Sequence, residues 1–326
     1  SLPEFDLIER LRDAICLPGE GAGFPCAVGI GDDGAVLDVP PGQQLVVCTD
    51  ALVCGVHFPD DTEPEAIGHK ALAVNLSDLA AMGARPAWFF MALALPRSDD
   101  DWVGRFASGM AGLARQAGIM LAGGDVTSGP LNVTVTALGL VEEGRALTRS
   151  GARPGDGIFV SGRLGAAAHA LQRMQSGEIL HPRDREALDF PRPRLTLGRA
   201  LAGRASACID LSDGLAADLG HIVKQSGVSA VVDLEALPCP PGLAGRPGPE
   251  RWPLQLAGGD DYELCFTLGD EASEQLDALA AETVTDITRI GEIAPGSGLQ
   301  FRTPEGRVYR PDRSGYRHFD GTETGR

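Results

Sequence analysis

The chain has 326 residues, 43% apolar but only 5% aromatic, and 45 acidic residues against 28 Lys and Arg give it a formal charge of −17. That length predicts two domains sharing a cleft, and the acidic balance argues against nucleic acid and anionic membranes as partners. No run of about 20 apolar residues and no basic-then-apolar leader is present, so a soluble, cytoplasmic protein whose cores pack through Ala, Gly and close backbone contact is expected.

In chain order, Phe5, Leu7, Ile8 and Leu11 predict a short helix closed by Leu17-Pro18-Gly19, before a Gly/Pro-rich stretch to Gly29. Residues 35–37 and 45–48 read as strands joined through Pro40-Pro41-Gly42; Asp50 ends the second, and a loop then carries His57. Thr62 and Glu65 have capping-box spacing before a helical pattern through Ile67, Ala71, Val74 and Met82, which Gly83 stops. Asn75 to Asp78 fall in or near that helix. Residues 88–95 form a nearly continuous apolar strand. Ser98 and Asp101 again match a capping box, with Trp102, Phe106, Met110 and Leu113 on one helical face and Gly118 at its end. Ile119-Met120-Leu121 leads to Gly123-Gly124-Asp125, and residues 131–141 alternate as a strand.

The segment 149–156, Arg-Ser-Gly-Ala-Arg-Pro-Gly-Asp, is read as the boundary between an N-terminal domain, 1–148, and a C-terminal domain, 149–326. Beyond it, strands are predicted at 157–160, 207–209, 228–234 and 262–268, helices at 164–174, 194–202, 214–224 and 271–281, and a hairpin at 299–309. The Pro/Gly-rich stretch 239–253 reads as a surface loop. Seven cysteines, at 16, 26, 48, 54, 208, 239 and 265, form no close zinc-like pair, and Cys48 and Cys265 read as packed thiols.

Acidic residues recur beside glycine and small polar residues: Gly31-Asp32-Asp33, Thr49-Asp50, Ser77-Asp78, Gly123-Gly124-Asp125, Asp210-Leu211-Ser212-Asp213 and Gly258-Gly259-Asp260-Asp261. Scattered single Asp and Thr oxygens suit magnesium, which accepts few protein ligands and keeps waters. Gathered carboxylates would need such cations to offset their mutual repulsion. Each motif also has a bland reading: Asp32 and Asp33 fit a turn, and Ser212 or Asp213 fits a helix cap. The amides of Gly123 and Gly124, placed at a strand end, would approach phosphate. Arg149 is the best basic candidate for a phosphate contact, Lys70 a weaker one, and His57 the best histidine for a ligand. No Walker loop, dinucleotide fingerprint, protein-kinase set or EF-hand loop occurs, so phosphate chemistry here must rest on metals, backbone amides and a few cations.

Longer segments extend these motifs: 28–33, 49–58, 70–84, 145–152, 209–215, 259–264 and the closing Gly315-Tyr316-Arg317-His318-Phe319. In this order, over nearly the whole chain, they resemble the thiamine-monophosphate kinase family of the aminoimidazole-ribonucleotide-synthetase-like superfamily. The resemblance implies that ATP donates its terminal phosphoryl group to thiamine monophosphate, giving thiamine diphosphate and ADP. It implies magnesium ligands at Asp33, Thr49, Asp50, Asp78, Asp125, Asp210 and Asp213, with Cys48 offering only its backbone carbonyl, and it makes Asp50, Asp125 and Asp210 the catalytic carboxylates. Gly124, with Gly123 beside it, Arg149 and Ser212 match the nucleotide contacts; His57, Asp260 and Tyr316 match the thiamine-phosphate side. Asp260 stands where the family often has Glu, one methylene longer. The implied fold is an N-terminal α/β domain whose sheet pairs with its twin in a homodimer, and a larger α+β C-terminal domain. Two alternatives stand beside this reading: another ATP-using enzyme of the superfamily, and a non-enzymatic thiamine-phosphate-binding protein. A selenium enzyme would need a reactive cysteine, for which Cys16 and Cys26 have no suitable setting.

Overall fold

The computed structural model describes residues 4–15, 26–270 and 274–316, with side chains in the first segment from Ile8 onward. The turn at Leu17-Pro18-Gly19, the setting of Cys16, the start of the helix predicted from 271 and the motif Arg317-His318-Phe319 lie outside the described residues. The chain divides into two compact units. One comprises Ser1–Leu147 with Asp189–Arg204; the other comprises Thr148–Leu188 with Ala205–Arg326.

The first unit is built on a four-stranded sheet in the order β3-β6-β4-β5, from Gln43–Val53, Asn132–Glu142, Arg85–Leu95 and Met120–Ser128. The β4–β5 pair is parallel; β6 runs antiparallel to both its neighbours. A small hairpin, β1 (Cys26–Val28) and β2 (Val36–Leu37), packs Cys26 and Leu37 near Trp88, Leu138 and Leu140. Helices α1 (Glu4–Ile15), α2 (Pro64–Ala81) and α3 (Asp100–Ala117) belong to this unit. Nearly every residue of α2 is buried, Asp78 being an exception, as expected of a helix enclosed on all sides. Small residues permit that enclosure. A Cβ on Gly68 would lie 2.1 Å from the Phe106 carbonyl oxygen, and one on Gly109 would lie 2.0 Å from that of Glu65, so α2 and α3 meet backbone to backbone. On another flank α6 (Leu195–Leu201) does the same, its Gly198 standing 2.0 Å by the same measure from the Ala80 oxygen.

Several local expectations need correction. Neither capping box forms. Helix α2 starts with Pro64 in its first turn and Glu63 at the cap, without a side-chain hydrogen bond. Proline brings a preset φ and no N–H to satisfy, so the helix starts at Glu63 and Pro64 without a side-chain cap. Helix α3 is capped by Asp99, not Ser98; its carboxylate accepts from the Asp101 and Trp102 amides. More consequential, β3 continues through Thr49 and Asp50 to Val53, and β5 runs through Gly123-Gly124-Asp125. These motifs lie within strands because pairing to β6 and β4 overrides the local breaker signals.

The second unit is a seven-stranded sheet in the order β13-β12-β9-β11-β7-β10-β8. Its strands are β7 (Gly157–Ser161), β8 (Ala207–Asp210), β9 (Ser229–Asp233), β10 (Leu264–Leu268), β11 (Ile287–Ala294), β12 (Gly298–Arg302) and β13 (Val308–Tyr309). Ile158, Val160, Ile209, Val232, Cys265 and Ile290 on one face form the core with Leu219 and Ile222 of α7 (Leu215–Ser226) and Trp252 and Leu256 of α8 (Gly248–Ala257). Three further helices are α4 (Ala166–Gln175), α5 (Pro182–Asp189) and α9 (Leu276–Thr283). The loop expected over 239–253 gives way to α8 from Gly248. Pro249 suits its first turn, and buried Trp252, Gln255 and Leu256 hold the helix despite Pro253 inside it.

Candidate active site

In the first unit the acidic motifs are spread over the sheet and its neighbours. Asp33 is exposed, and its amide donates to Asp32 Oδ1 at 2.9 Å, as in the bland turn reading. Along β3, burial alternates: Val46 and Leu52 are buried, whereas Val47, Thr49 and Ala51 are exposed. Thr49 therefore occupies the outer face, where its hydroxyl donates to the Val135 carbonyl oxygen at 3.0 Å and lies 2.8 Å from Thr136 Oγ1. Asp50 and Cys48 occupy the helix-facing side; Cys48 Sγ lies 3.4 Å from the Asn75 carbonyl oxygen of α2. Asp78 is half-buried on α2, beside fully buried Asn75 and Ser77.

Sheet register places Asp125. Asp50 pairs with Val135, Val135 with Met91 and Met91 with Gly124, while the next row joins Ala51, Thr134, Ala92 and Asp125. Paired residues share a face, so Asp50 and Asp125 lie on opposite faces as well as on opposite edge strands. Gly123 and Gly124 are in the strand itself. A Cβ on Gly124 would lie 2.1 Å from the Met91 oxygen, so close passage of β4 accounts for this glycine without any ligand.

His57 follows β3. Its Nδ1 accepts the Val53 N–H at 2.9 Å, which leaves Nε2 as the protonated nitrogen of the neutral ring. Lys70 is 2% exposed, and its ammonium donates to the His57 carbonyl oxygen at 3.1 Å, so it braces the His57 turn against α2.

The second unit draws its motifs into one locus. Buried Asp210 ends β8 opposite Leu264. The Leu211 amide donates to the Glu263 carbonyl oxygen, and the Tyr262 amide returns to that of Leu211, each at 2.8 Å. The Asp260 amide donates to the Ser212 oxygen at 2.9 Å, and the Tyr316 amide to the Asp213 oxygen at 3.1 Å. Asp210, Ser212, Asp213, Asp260 and Tyr316 are thus joined through the backbone. Arg149 is exposed; the adjoining Thr148 carbonyl accepts from the Cys208 amide at 2.9 Å, next to the strand that carries Asp210.

Neither Ser212 nor Asp213 caps α7. Gly214 is the cap residue, and Asp218 Oδ2 accepts the amides of Asp213 and Gly214, each at 3.1 Å. Asp218 is buried, and its pKa is pushed up to about 8 by that burial and by the charges of Asp210 and Asp213. This residue escaped the sequence reading because an Asp in the first turn of a helix is ordinary; the signal was its spacing of one turn and a residue from Asp213.

The turn feeding β10 has a left-handed backbone at Gly259, Asp260 and Tyr262, with φ of 70°, 59° and 49°. The Tyr262 hydroxyl donates to Asp260 Oδ1 at 3.0 Å. Between them, Asp261 Oδ1 accepts the Gly165 amide at 2.8 Å; Oδ2 is closed to solvent and has no hydrogen-bond partner. Burial raises this carboxyl well above the usual range, against the opposing effect of the Gly165 amide. Glu263 accepts from Ser161 Oγ at 2.5 Å.

The donor chemistry fits a hard divalent cation. Burial first, then the charges of Asp210 and Asp213, raise Asp218, and a cation held by those two carboxylates would offset their negative charge. Among the described residues no three His, Cys, Asp or Glu side chains converge as a ready cation cage. Magnesium needs none, because one or two carboxylates, substrate phosphates and water complete its shell.

Residues 31–141 match the family model for the AIR synthase related protein N-terminal domain, and residues 153–303 match that for the C-terminal domain. The thiamine-monophosphate kinase of Escherichia coli K12 is 43% identical over 327 residues, covering 97% of this chain and 98% of the relative. The chain belongs to the thiamine-monophosphate kinase family. The Bacillus subtilis member is 35% identical over 337 residues, covering 98% of this chain and 100% of its own. The crystal structure of the Stenotrophomonas maltophilia enzyme superposes with a TM-score of 0.85 at 45% identity, covering 94% of this chain and 98% of that one. A structure described as AaThiL complexed with AMPPCP and TMP gives 0.75 at 30% identity, with 97% of each chain covered. Thiamine-monophosphate kinases thus share the whole architecture, two AIR-synthase-type domains of mixed α/β structure.

Proposed function

We infer that this chain transfers the terminal phosphoryl group of ATP to the phosphate of thiamine monophosphate, releasing thiamine diphosphate and ADP. The observation that carries the inference is identity with thiamine-monophosphate kinases over nearly the full length of both chains. The acceptor is a phosphate monoester whose oxygen is already nucleophilic, so no strong general base is required. What the reaction needs is alignment of two anionic reactants and neutralisation of charge on the transferred group.

We assign Asp33, the Cys48 carbonyl, Thr49, Asp50, Asp78, Asp125, Asp210 and Asp213 to magnesium, with Asp50, Asp125 and Asp210 nearest the chemistry. Magnesium, when bound, screens phosphate repulsion and stabilises the loosely bonded phosphoryl group. Gly123, Gly124, Arg149 and Ser212 are assigned to the nucleotide. His57 would present Nε2–H to a phosphate oxygen, and Asp260 and Tyr316 would orient the thiamine portion. Tyr262 holds Asp260 by its hydroxyl, which fixes the shorter carboxylate in one direction. In this reading residues 1–148 supply most of the magnesium and nucleotide contacts and the dimer interface; residues 149–326 supply the rest.

A homodimer is favoured by the first unit's sheet. Its edge strands β3 and β5 have no further strand partner among the described residues, and Leu45 and Val47 are exposed on β3. The reaction belongs in the cytoplasm, where ATP is regenerated; no described helix is long and apolar enough to cross a membrane. Phosphorus NMR of protein, ATP and magnesium, with thiamine monophosphate added last, tests the reading. A diphosphate ester signal that appears only after that addition is expected. ATP consumption without it would replace this reading with another ATP-using activity, and no consumption at all would leave a binding protein.

A further inference from the structure

The sequence motif Gly258-Gly259-Asp260-Asp261 contains one acid that the reaction does not use. Asp261 lies between two left-handed residues, Asp260 and Tyr262, which strain would move unless the surroundings held them. The backbone bonds of Asp260 and Tyr262 reach Ser212 and Leu211, so the turn and the Asp210–Asp213 segment are held as one piece. The Asp261 side chain ties that piece to a further element, the Gly165 amide at the start of α4. Gly165 is itself left-handed, at φ 93°, and makes no side-chain cap for α4, so the Asp261 carboxyl supplies the acceptor for an amide at the start of that helix.

We propose that Asp261 is a positioning residue of the reaction, its carboxyl fastening the 258–262 turn to the start of α4 and thereby fixing where Asp260 meets the thiamine portion of the acceptor. The proposal rests on the assignment of Asp260 to that substrate. Asn preserves the acceptor oxygen for the Gly165 amide, whereas Ala removes it and lets the strained turn relax.

Steady-state kinetics with each substrate varied separately, on Asp261→Ala, Asp261→Asn, Asp260→Asn and the Asp260→Asn/Asp261→Ala double variant, tests this. Expected are a rise of about tenfold in KM for thiamine monophosphate in Asp261→Ala, little change in KM for ATP, recovery in Asp261→Asn, and no further rise in the double variant over Asp260→Asn alone. If Asp260→Asn raises that KM and Asp261→Ala does not, the positioning role is overturned and the Asp260 assignment stands. An unchanged KM in Asp260→Asn overturns that assignment and this proposal with it. A lower melting temperature in Asp261→Ala with both KM values unchanged reduces Asp261 to a helix cap and likewise overturns the proposal. Should Asp261→Ala not fold, Asp261→Ser, too short to reach Gly165, is judged by the same criteria.

Discussion

Asp50 and Asp125 stand on opposite edge strands of one four-stranded sheet and on its opposite faces. Three strand spacings separate them, about 14 Å measured across the sheet. Magnesium–oxygen bonds of about 2.1 Å cannot bridge that gap within one copy of the unit. If both carboxylates act at one site, a second copy must supply one of them, and the open edges of β3 and β5 are where it would join.

Asp50→Asn and Asp125→Asn are each expected to lower turnover by about a hundredfold or more with the fold retained, since a carboxamide keeps the shape but loses the charge. Circular dichroism and kinetics at saturating magnesium check this. Mixing the two variants and allowing subunit exchange should restore about a quarter of normal turnover if each site draws Asp50 and Asp125 from different copies of a two-fold dimer. No recovery despite demonstrated exchange would place both residues in sites belonging to single copies, or in separate roles.

His69 predicts an acid sensitivity of the fold. It sits on α2, with Nε2 2.8 Å from the Pro191 carbonyl oxygen and its ring 5.2 Å from that of Phe190. Burial, aided by Arg192, holds its pKa below the ordinary value despite the Pro191 bond, so the folded ring stays neutral and donates. In acid the unfolded chain binds a proton that the folded one refuses. Stability from this group is therefore full above the unfolded pKa of about 6.5 and declines as pH falls through it toward the lower folded value. Denaturation at a series of pH values should show a flatter profile for His69→Gln, which keeps an N–H but cannot titrate; an identical profile would contradict this origin.

Gly68→Ala and Gly109→Ala should each destabilise by about 3 kcal/mol or more, because the added methyl meets a carbonyl oxygen across the α2–α3 contact. Gly104→Ala, with open space around the same construction on α3, serves as the control and should be neutral or slightly stabilising. Urea unfolding of the three variants separates close approach from helix propensity.

Asp218→Ala should cost about 2 kcal/mol by leaving the Asp213 and Gly214 amides without their acceptor, whereas Asp218→Asn keeps one. Turnover should fall further in the alanine variant than in the asparagine variant, because Asp213 loses its anchor. Equal stability for the two variants would show that the amides find another partner.

What could be read from the sequence was local. The apolar runs of β4 and β6, the α3 face with Phe106 and Met110, and the glycine stop at Gly118 all depend on near neighbours. The extension of β3 past Asp50 and of β5 past Gly123 could not be seen, because hydrogen bonds to residues far along the chain decide it. Asp260 and Tyr316 were marked by family likeness; only the folded backbone shows how they join Asp213. Asp218 had no motif to mark it and Asp261 was marked only as part of an acidic motif; the amides that each accepts, from Asp213 and Gly214 and from Gly165, show only in the folded chain. Gly124 illustrates the converse: a residue noted for phosphate has a sufficient reason to be glycine in the neighbouring strand.

The short excursion Asp189–Arg204 carries the chain from the second unit back to the first before it returns. Its helix α6 seats Gly198 on the Ala80 backbone, and Gly83 lies close to Ala202 and to the Gly198 carbonyl oxygen. The two halves are therefore stitched by three crossings of the polypeptide, and a protease nick near residue 148 would sever only one thread. A fragment ending there would lack the piece that covers one flank of its central helix, so an N-terminal half prepared alone should be insoluble unless a peptide spanning 189–204 is supplied with it.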